Sequence, residues 1–187
     1  EADIQAAKIH SQAGGYDLLA ANRELAGAEV ELVQEIAREM RLKNALALVA
    51  DDYDYILIDC PPTLTLLTLN GLVAADGVLV PMVCEYYALE GISDLVATVR
   101  KIRTAINAKL GIFGIVRTLY NNQNRLAQDV STQLQEHFGA QLFATTIPRN
   151  VRLAEAPSHG LPALAYDAKA KGTLAYLELA DEVLARK

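Results

Sequence analysis

Four short runs rich in apolar and β-branched residues recur along this chain: ILI at 56–58, GVLVPMV at 77–83, GIFGIV at 111–116 and LFATTI at 142–147. None alternates strictly between apolar and polar, so each reads as a strand buried on both faces. Helix-length amphipathic stretches separate them. Buried strands separated by helices belong to a mostly parallel sheet with helices on both faces, so the expected fold class is α/β. With 187 residues and 52% apolar composition, a single domain over 1–187 with one continuous core is expected.

The spacing predicts a helix over 28–49, with Val30, Val33, Ala37, Met40 and Leu48 near one stripe and Glu39 four residues before Lys43. Shorter helical segments are expected over 66–73 and 124–138, the second started by Asn121, Asn122, Gln123 and Asn124. Over 90–108, Ile92, Leu95, Val96, Val99, Ile102 and Ile106 form one apolar face, which directs Arg100, Lys101 and Arg103 away from the core. A last helix over 173–186 places Leu174, Leu177, Ala180 and Leu184 together. Residues 16–21 read as a strand after the Gly14-Gly15 turn. Residues 149–171 show little regular pattern and are the expected functional loop region.

Asp59 follows the first apolar run and precedes Cys60, Pro61 and Pro62. Ligands in open α/β sheets bind beyond the carboxyl ends of strands, which makes this acid a candidate metal or phosphate-site residue. An acid here can equally cap the turn before the next helix. Cys60 and Cys84 lie at expected strand ends with no CxxC or Cys/His spacing, and read as buried thiols. No apolar run approaches the roughly 18 residues of a membrane span, and the acidic start EADIQAAK lacks the regions of a signal peptide, so a cytoplasmic protein is expected. The net charge of −6 is unevenly spread: residues 100–152 hold eight Lys and Arg against two Asp and Glu, a local excess of +6. That block can serve as a polyanion-binding face or as ordinary solvated helix surface.

Beyond these features, DYILIDCPP, LLTLN, AADGVLVPM, CEYYALEGISDL, IPRNVRLAEAPSHG and KGTLAYLELADEVL together resemble the ParA/Soj partition ATPases, deviant P-loop NTPases related to MinD. The resemblance runs from about residue 16 to the C-terminus. It implies a three-layer, Rossmann-like P-loop NTPase fold and an ATPase that uses ATP and Mg²⁺. By the same resemblance Asp59 is the Walker B acid, holding Mg²⁺ through water. The base site would be built from Thr118, Leu119, Tyr120 and Asn121 with Pro148, Arg149 and Asn150, adenine being the expected base. Asn offers both a donor and an acceptor to a base edge, although Asn121 and Asn150 also suit turns.

The family further implies ATP-dependent homodimerisation, non-specific binding of double-stranded DNA, a ParB/Spo0J-like partner that stimulates hydrolysis, and association with the nucleoid. Candidate DNA contacts are Arg100, Lys101, Arg103, Arg117, Arg125, Arg149 and Arg152, with Lys169 and Lys171. The sequence departs from its relatives at Gln123, where a basic residue is common, at Thr65 for Gly, and at Val83 for Gln. No GxxxxGK[ST] occurs in the chain, so an N-terminal strand-loop-helix carrying the phosphate cradle is expected upstream, and the catalytic lysine is not assignable. Two alternatives stand beside this reading. A MinD-like membrane-positioning ATPase is disfavoured by the acidic Glu178, Asp181 and Glu182 of the last helix. A non-catalytic dimerisation module is the other. An iron–sulfur cluster on the two cysteines is set aside on context.

Overall fold

The computed structural model describes residues 3–186; Glu1 and Ala2 of the acidic start, and Lys187 after the last helix, lie outside the described residues. The chain forms two compact units, one of residues through Val78 with Val99–Gly111, the other of Leu79–Thr98 with the chain from Ile112 onward.

The first unit begins with helix α1 (Ile4–Ala7) and an antiparallel hairpin of β1 (Ile9–Ser11) and β2 (Tyr16–Leu18), closed at Gly15, whose positive φ of 67° suits glycine. The strand expected over 16–21 is thus shorter and pairs locally. The hairpin is tied to Tyr53 through polar contacts: Tyr53 donates its hydroxyl to Asp17, Lys8 donates to that hydroxyl, and His10 bonds the other Asp17 oxygen.

The helix expected over 28–49 is broken into α2 (Leu25–Leu32), a 3-10 turn (Arg38–Met40), α3 (Arg41–Leu46) and a second 3-10 turn (Ala50–Asp52). Ala37 sits at φ 52°, a left-handed conformation no continuous helix contains, and Arg38 caps the freed Val33 carbonyl. Arg41 pairs with Glu35 across the break. The apolar stripe therefore does not form one buried face: Val30, Val33 and Leu48 are exposed, and Ile36 is 91% exposed.

Helix α4 (Leu66–Ala74) matches its expected span. Thr65 accepts from Thr68 N–H at its start, so the residue that replaces glycine is the N-cap. At its other end the buried Asn107 side chain donates to the carbonyls of Leu72, Val73 and Ala75 at 3.1, 3.2 and 2.7 Å, satisfying groups a helix terminus leaves open. Leu72, Val73, Val99, Ile102 and Leu110 are buried in this unit.

The run 56–58 overturns an expectation: it belongs to no strand, and Leu57 is 92% exposed. Neither sheet among the described residues includes it, and an apolar sequence alone cannot make a ladder. It rests instead against α4 at Gly71, where an added Cβ would meet Cys60 Sγ at 2.9 Å and Ile58 Cγ2 at 3.4 Å. Cys60 is consequently exposed rather than buried, whereas Cys84 is buried as expected.

The second unit holds a three-stranded sheet in the order β3 (Val78–Val83), β4 (Ile112–Tyr120) and β5 (Leu142–Pro148), with β4 and β5 parallel. Helix α5 (Ala88–Ala105) follows β3, and α6 (Arg125–Phe138) joins β4 to β5. This is the expected helix–strand alternation. The irregular region 149–171 is organised as short helices α7 (Val151–Glu155) and α8 (Ala163–Tyr166) around a 3-10 turn (Ala156–His159), before α9 (Lys171–Ala185).

Phe143 anchors this core with Val116, Ile147, Ala175 and Leu179. Gly114 faces it so closely that a Cβ there would lie 2.1 Å from the ring, so only glycine fits. Helix α9 buries Thr173, Ala175 and Leu179, leaving Leu174, Leu177 and Leu184 exposed, the reverse of the expected face. Two polar anchors select this phase. Glu182 accepts from Ala144 and Thr145 N–H at 2.9 and 2.7 Å, and Arg186 donates to the carbonyls of Phe113, Gln141 and Leu142 at 3.2, 3.0 and 3.0 Å.

Burial pushes the Glu182 carboxyl up, but its bonds from the Thr145 hydroxyl and the N–H groups of Thr145 and Ala144 outweigh it and hold the group below its ordinary value of 4.5. A carboxylate depressed in the folded state stabilises fully above its unfolded value and loses that contribution as pH falls through the folded value. Glu182→Gln is expected to cost about 1–2 kcal/mol at pH 7. The gap between the proteins in urea unfolding should close as pH drops below about 4.5; a pH-independent gap would refute the role.

Candidate functional site

The site sits at the carboxyl ends of β3, β4 and β5, all in the second unit. A cleft of about 200 Å³ is lined by Cys84 and Glu85 after β3, Leu119, Tyr120 and Asn121 at the end of β4, Asn124 at the start of α6, and Arg149 after β5. A wider hollow of about 640 Å³ shares Val83, Glu85 and Asn124 and is walled by Tyr86 and Tyr87, which are 75% and 73% exposed and meet edge to face at 5.0 Å.

The local backbone explains how these side chains converge. Leu119 has φ 50°, and the β4–β5 register shifts between Arg117 and Tyr120, so the last residues of β4 leave the regular pleat where the cleft opens. Asn121 accepts from Gln123 N–H at 3.0 Å and turns the chain, and Asn124 caps α6 by accepting from Leu126 N–H at 3.0 Å. Beyond β5, Asn150 caps α7, accepting from Arg152 N–H at 2.9 Å and Leu153 N–H at 3.3 Å. The oxygens of Asn121 and Asn150 are therefore committed to backbone, leaving their amide N–H₂ groups as the donors they can offer.

Of the residues expected at a base site, Leu119, Tyr120, Asn121 and Arg149 are brought to one cleft. Thr118 and Pro148 are half-buried within the strands, Pro148 paired opposite Tyr120, and neither lines the cleft. Cys84, Glu85 and Asn124 were not assigned from sequence; the signal was the same strand-end rule applied to the CEYYALEG stretch after β3. Burial pushes the Cys84 thiol up, opposed by the charge of Arg117.

Arg100, Lys101 and Arg103 are exposed on α5, as their helical phase requires, and Arg125, Arg149, Lys169 and Lys171 are exposed as well. Arg117 departs from its expected place among the DNA contacts. Its guanidinium donates through Nη1 and Nη2 to Ser131 Oγ and to the carbonyls of Phe143 and Ala144 at 2.8, 2.8 and 3.0 Å, and lies 5.6 Å from the centre of the Tyr120 ring, so both terminal nitrogens serve the sheet and α6. Arg152 is exposed but carries acidic partners.

Asp59, in the first unit, is exposed and accepts no hydrogen bond among the described residues. No group of three or more His, Cys, Asp or Glu that could hold a metal occurs among them either. A single free carboxylate suits Mg²⁺, which keeps several waters and takes one or two carboxylates with phosphate oxygens. No helix among the described residues is long and apolar enough to cross a membrane.

An α/β sheet with its cleft at the strand ends is the architecture of nucleotide-binding proteins of the P-loop class. Residues 1–112 match the profile of the AAA domain family. The chain is 52% identical to the chromosome-partitioning ATPase Soj of Treponema pallidum, over 89% of this chain and 66% of that protein. It is 43% identical to the chromosome partitioning protein ParA of Caulobacter vibrioides, over 100% of this chain and 71% of the relative. Among solved structures it is similar to cobyrinic acid a,c-diamide synthase from Mycobacterium smegmatis with bound ATP analog and magnesium, at 36% identity and a TM-score of 0.81, over 98% of this chain and 67% of that one. The chain belongs to the ParA/Soj family of chromosome-partitioning ATPases. It spans about two thirds of the length of the proteins it matches.

Proposed function

We propose that these residues supply the base-binding cleft, the magnesium carboxylate and part of the DNA-facing surface of an ATP-switched partition ATPase. The convergence of Tyr120, Asn121 and Arg149 on one cleft, from segments nearly thirty residues apart in sequence, carries this reading. In the cleft Tyr120 and Leu119 offer apolar surface to a base, the Asn121 amide offers a donor, and Arg149 adds a cation at the mouth. Asp59 would hold Mg²⁺, and the ion would supply charge neutralisation on the phosphates of ATP. With no GxxxxGK[ST] in these 187 residues, the phosphate cradle in this reading comes from outside them.

In the complete protein ATP binding drives homodimerisation. The dimer binds double-stranded DNA without sequence preference through exposed basic residues. Arg100, Lys101 and Arg103 on α5 are candidates, as are Arg125, Arg149, Arg152, Lys169 and Lys171. A ParB/Spo0J-like partner stimulates hydrolysis and release in the cytoplasm, at the nucleoid. ATP affinity of the full-length protein tests the cleft. Asn121→Ala and Arg149→Ala are each expected to weaken binding about five- to tenfold, about 1–1.4 kcal/mol, with the circular dichroism spectrum unchanged. An unaltered dissociation constant in both variants sinks the cleft assignment.

A further inference from the structure

The segment after β5 surrounds one exposed cation with acids. Arg152 Nη1 lies 3.0 Å from Glu155 Oε2, and its Nε lies 3.5 Å from Asp167 Oδ2, although 55% of the arginine side chain faces solvent. Both acids are themselves positioned. The Tyr166 hydroxyl donates to the same Glu155 oxygen at 3.2 Å, and Asp167 Oδ1 accepts from Lys169 N–H at 3.1 Å. One carboxylate ends α7 and the other follows α8, so the short helices of this region hold a negative pair against a single guanidinium.

We propose that Glu155 and Asp167 are built-in competitors for DNA phosphate at Arg152, keeping that cation neutralised until DNA displaces them; this rests on the DNA-binding reading above. Carboxylate and phosphate present the same paired oxygens to a guanidinium, so one can replace the other. Exposed ion pairs are weak enough to exchange readily. A free arginine that meets DNA releases a condensed cation from the phosphates. An arginine that arrives already paired frees a carboxylate, which takes a cation back from solution. The net release is smaller, so binding is both weaker at low salt and less sensitive to salt than the count of basic residues implies. The device limits idle adhesion to DNA without removing the contact.

The test uses the full-length protein with ATP and Mg²⁺, measuring DNA affinity by fluorescence anisotropy between about 50 and 200 mM salt. Asp167→Asn keeps the acceptor for Lys169 N–H, and Glu155→Gln keeps that for Tyr166, so the fold is retained. Asp181→Asn, on the exposed side of α9, is the charge-matched control. Asp167→Asn is expected to tighten binding about three- to tenfold at the low-salt end and to steepen the dependence of log affinity on log salt by up to about 0.9. Combining it with Arg152→Gln should erase both changes. A gain as large in the Asp181→Asn control, a gain that survives Arg152→Gln, or no gain in a protein that does bind DNA each overturns the inference alone. Absence of DNA binding in the wild type and every variant overturns the DNA-binding reading, and the inference with it.

Discussion

Asp59→Ala in the full-length protein is expected to lower Mg²⁺-supported ATP turnover at least about 100-fold, equivalent to about 2.7 kcal/mol of transition-state stabilisation. Stability should barely move, because the carboxylate is exposed and accepts no hydrogen bond among the described residues. The separation matters: a residue that merely capped the turn would lose stability first and activity in proportion. An independent readout comes from its neighbour. Although the residue is exposed, partial desolvation of its sulfur against Gly71, and then the negative charge of Asp59, hold the Cys60 thiol above its ordinary range, so removing the acid lowers that value and enriches the thiolate. Alkylation of Cys60 near pH 8 should accelerate in the variant. Turnover retained at more than about a tenth of the wild-type rate would show that Asp59 is not a metal-site residue.

Phe143→Ala carries the largest expected cost in stability, about 4 kcal/mol, or roughly 10 °C in melting temperature. The ring is completely buried, lies 6.1 Å from the Phe113 ring in a tilted arrangement, and has the Arg186 guanidinium 3.8 Å from its centroid. Truncation removes all three relations at once. Gly114 cannot refill the space, since it carries no side chain and its backbone is fixed in β4. Phe143→Leu, which keeps most of the volume, should cost about 1–1.5 kcal/mol. Equal losses in the two variants, measured by urea unfolding, would place the stabilisation in the aromatic contacts rather than in filled volume.

The second unit was far more legible than the first. The runs at 77–83, 111–116 and 142–147 yield strands β3, β4 and β5 because neighbours exist to complete their ladders, and the helices between them keep the phases their apolar spacing dictates. The run 56–58 has a similar composition, yet pairing is a property of two segments and a sequence window shows only one. Ala37 gives no local warning of a left-handed turn, since alanine is the best of helix formers. In α9 both the 174/177/184 and the 175/179/183 stripes are apolar, so periodicity could not choose. Glu182 and Arg186 chose, through bonds to residues some forty positions and more away. At the cleft, the family resemblance named Tyr120, Asn121 and Arg149, which the fold brings together, but no sequence pattern showed that the asparagine oxygens are committed to a turn and a helix cap, which depends on where each element actually starts.

Those two anchors on α9 also guard part of one edge of the sheet. Strand β5 is the outer member of the order β3-β4-β5, and along it one helix offers an acceptor to successive N–H groups and a donor to successive carbonyls. Backbone groups already bonded to side chains are not available to an incoming strand, whether from a neighbouring molecule in a crowded cell or from misfolded copies of the same chain. The stretch of β5 around Leu142–Thr145 is therefore guarded against edge-to-edge pairing by a helix that the same chain lays along it.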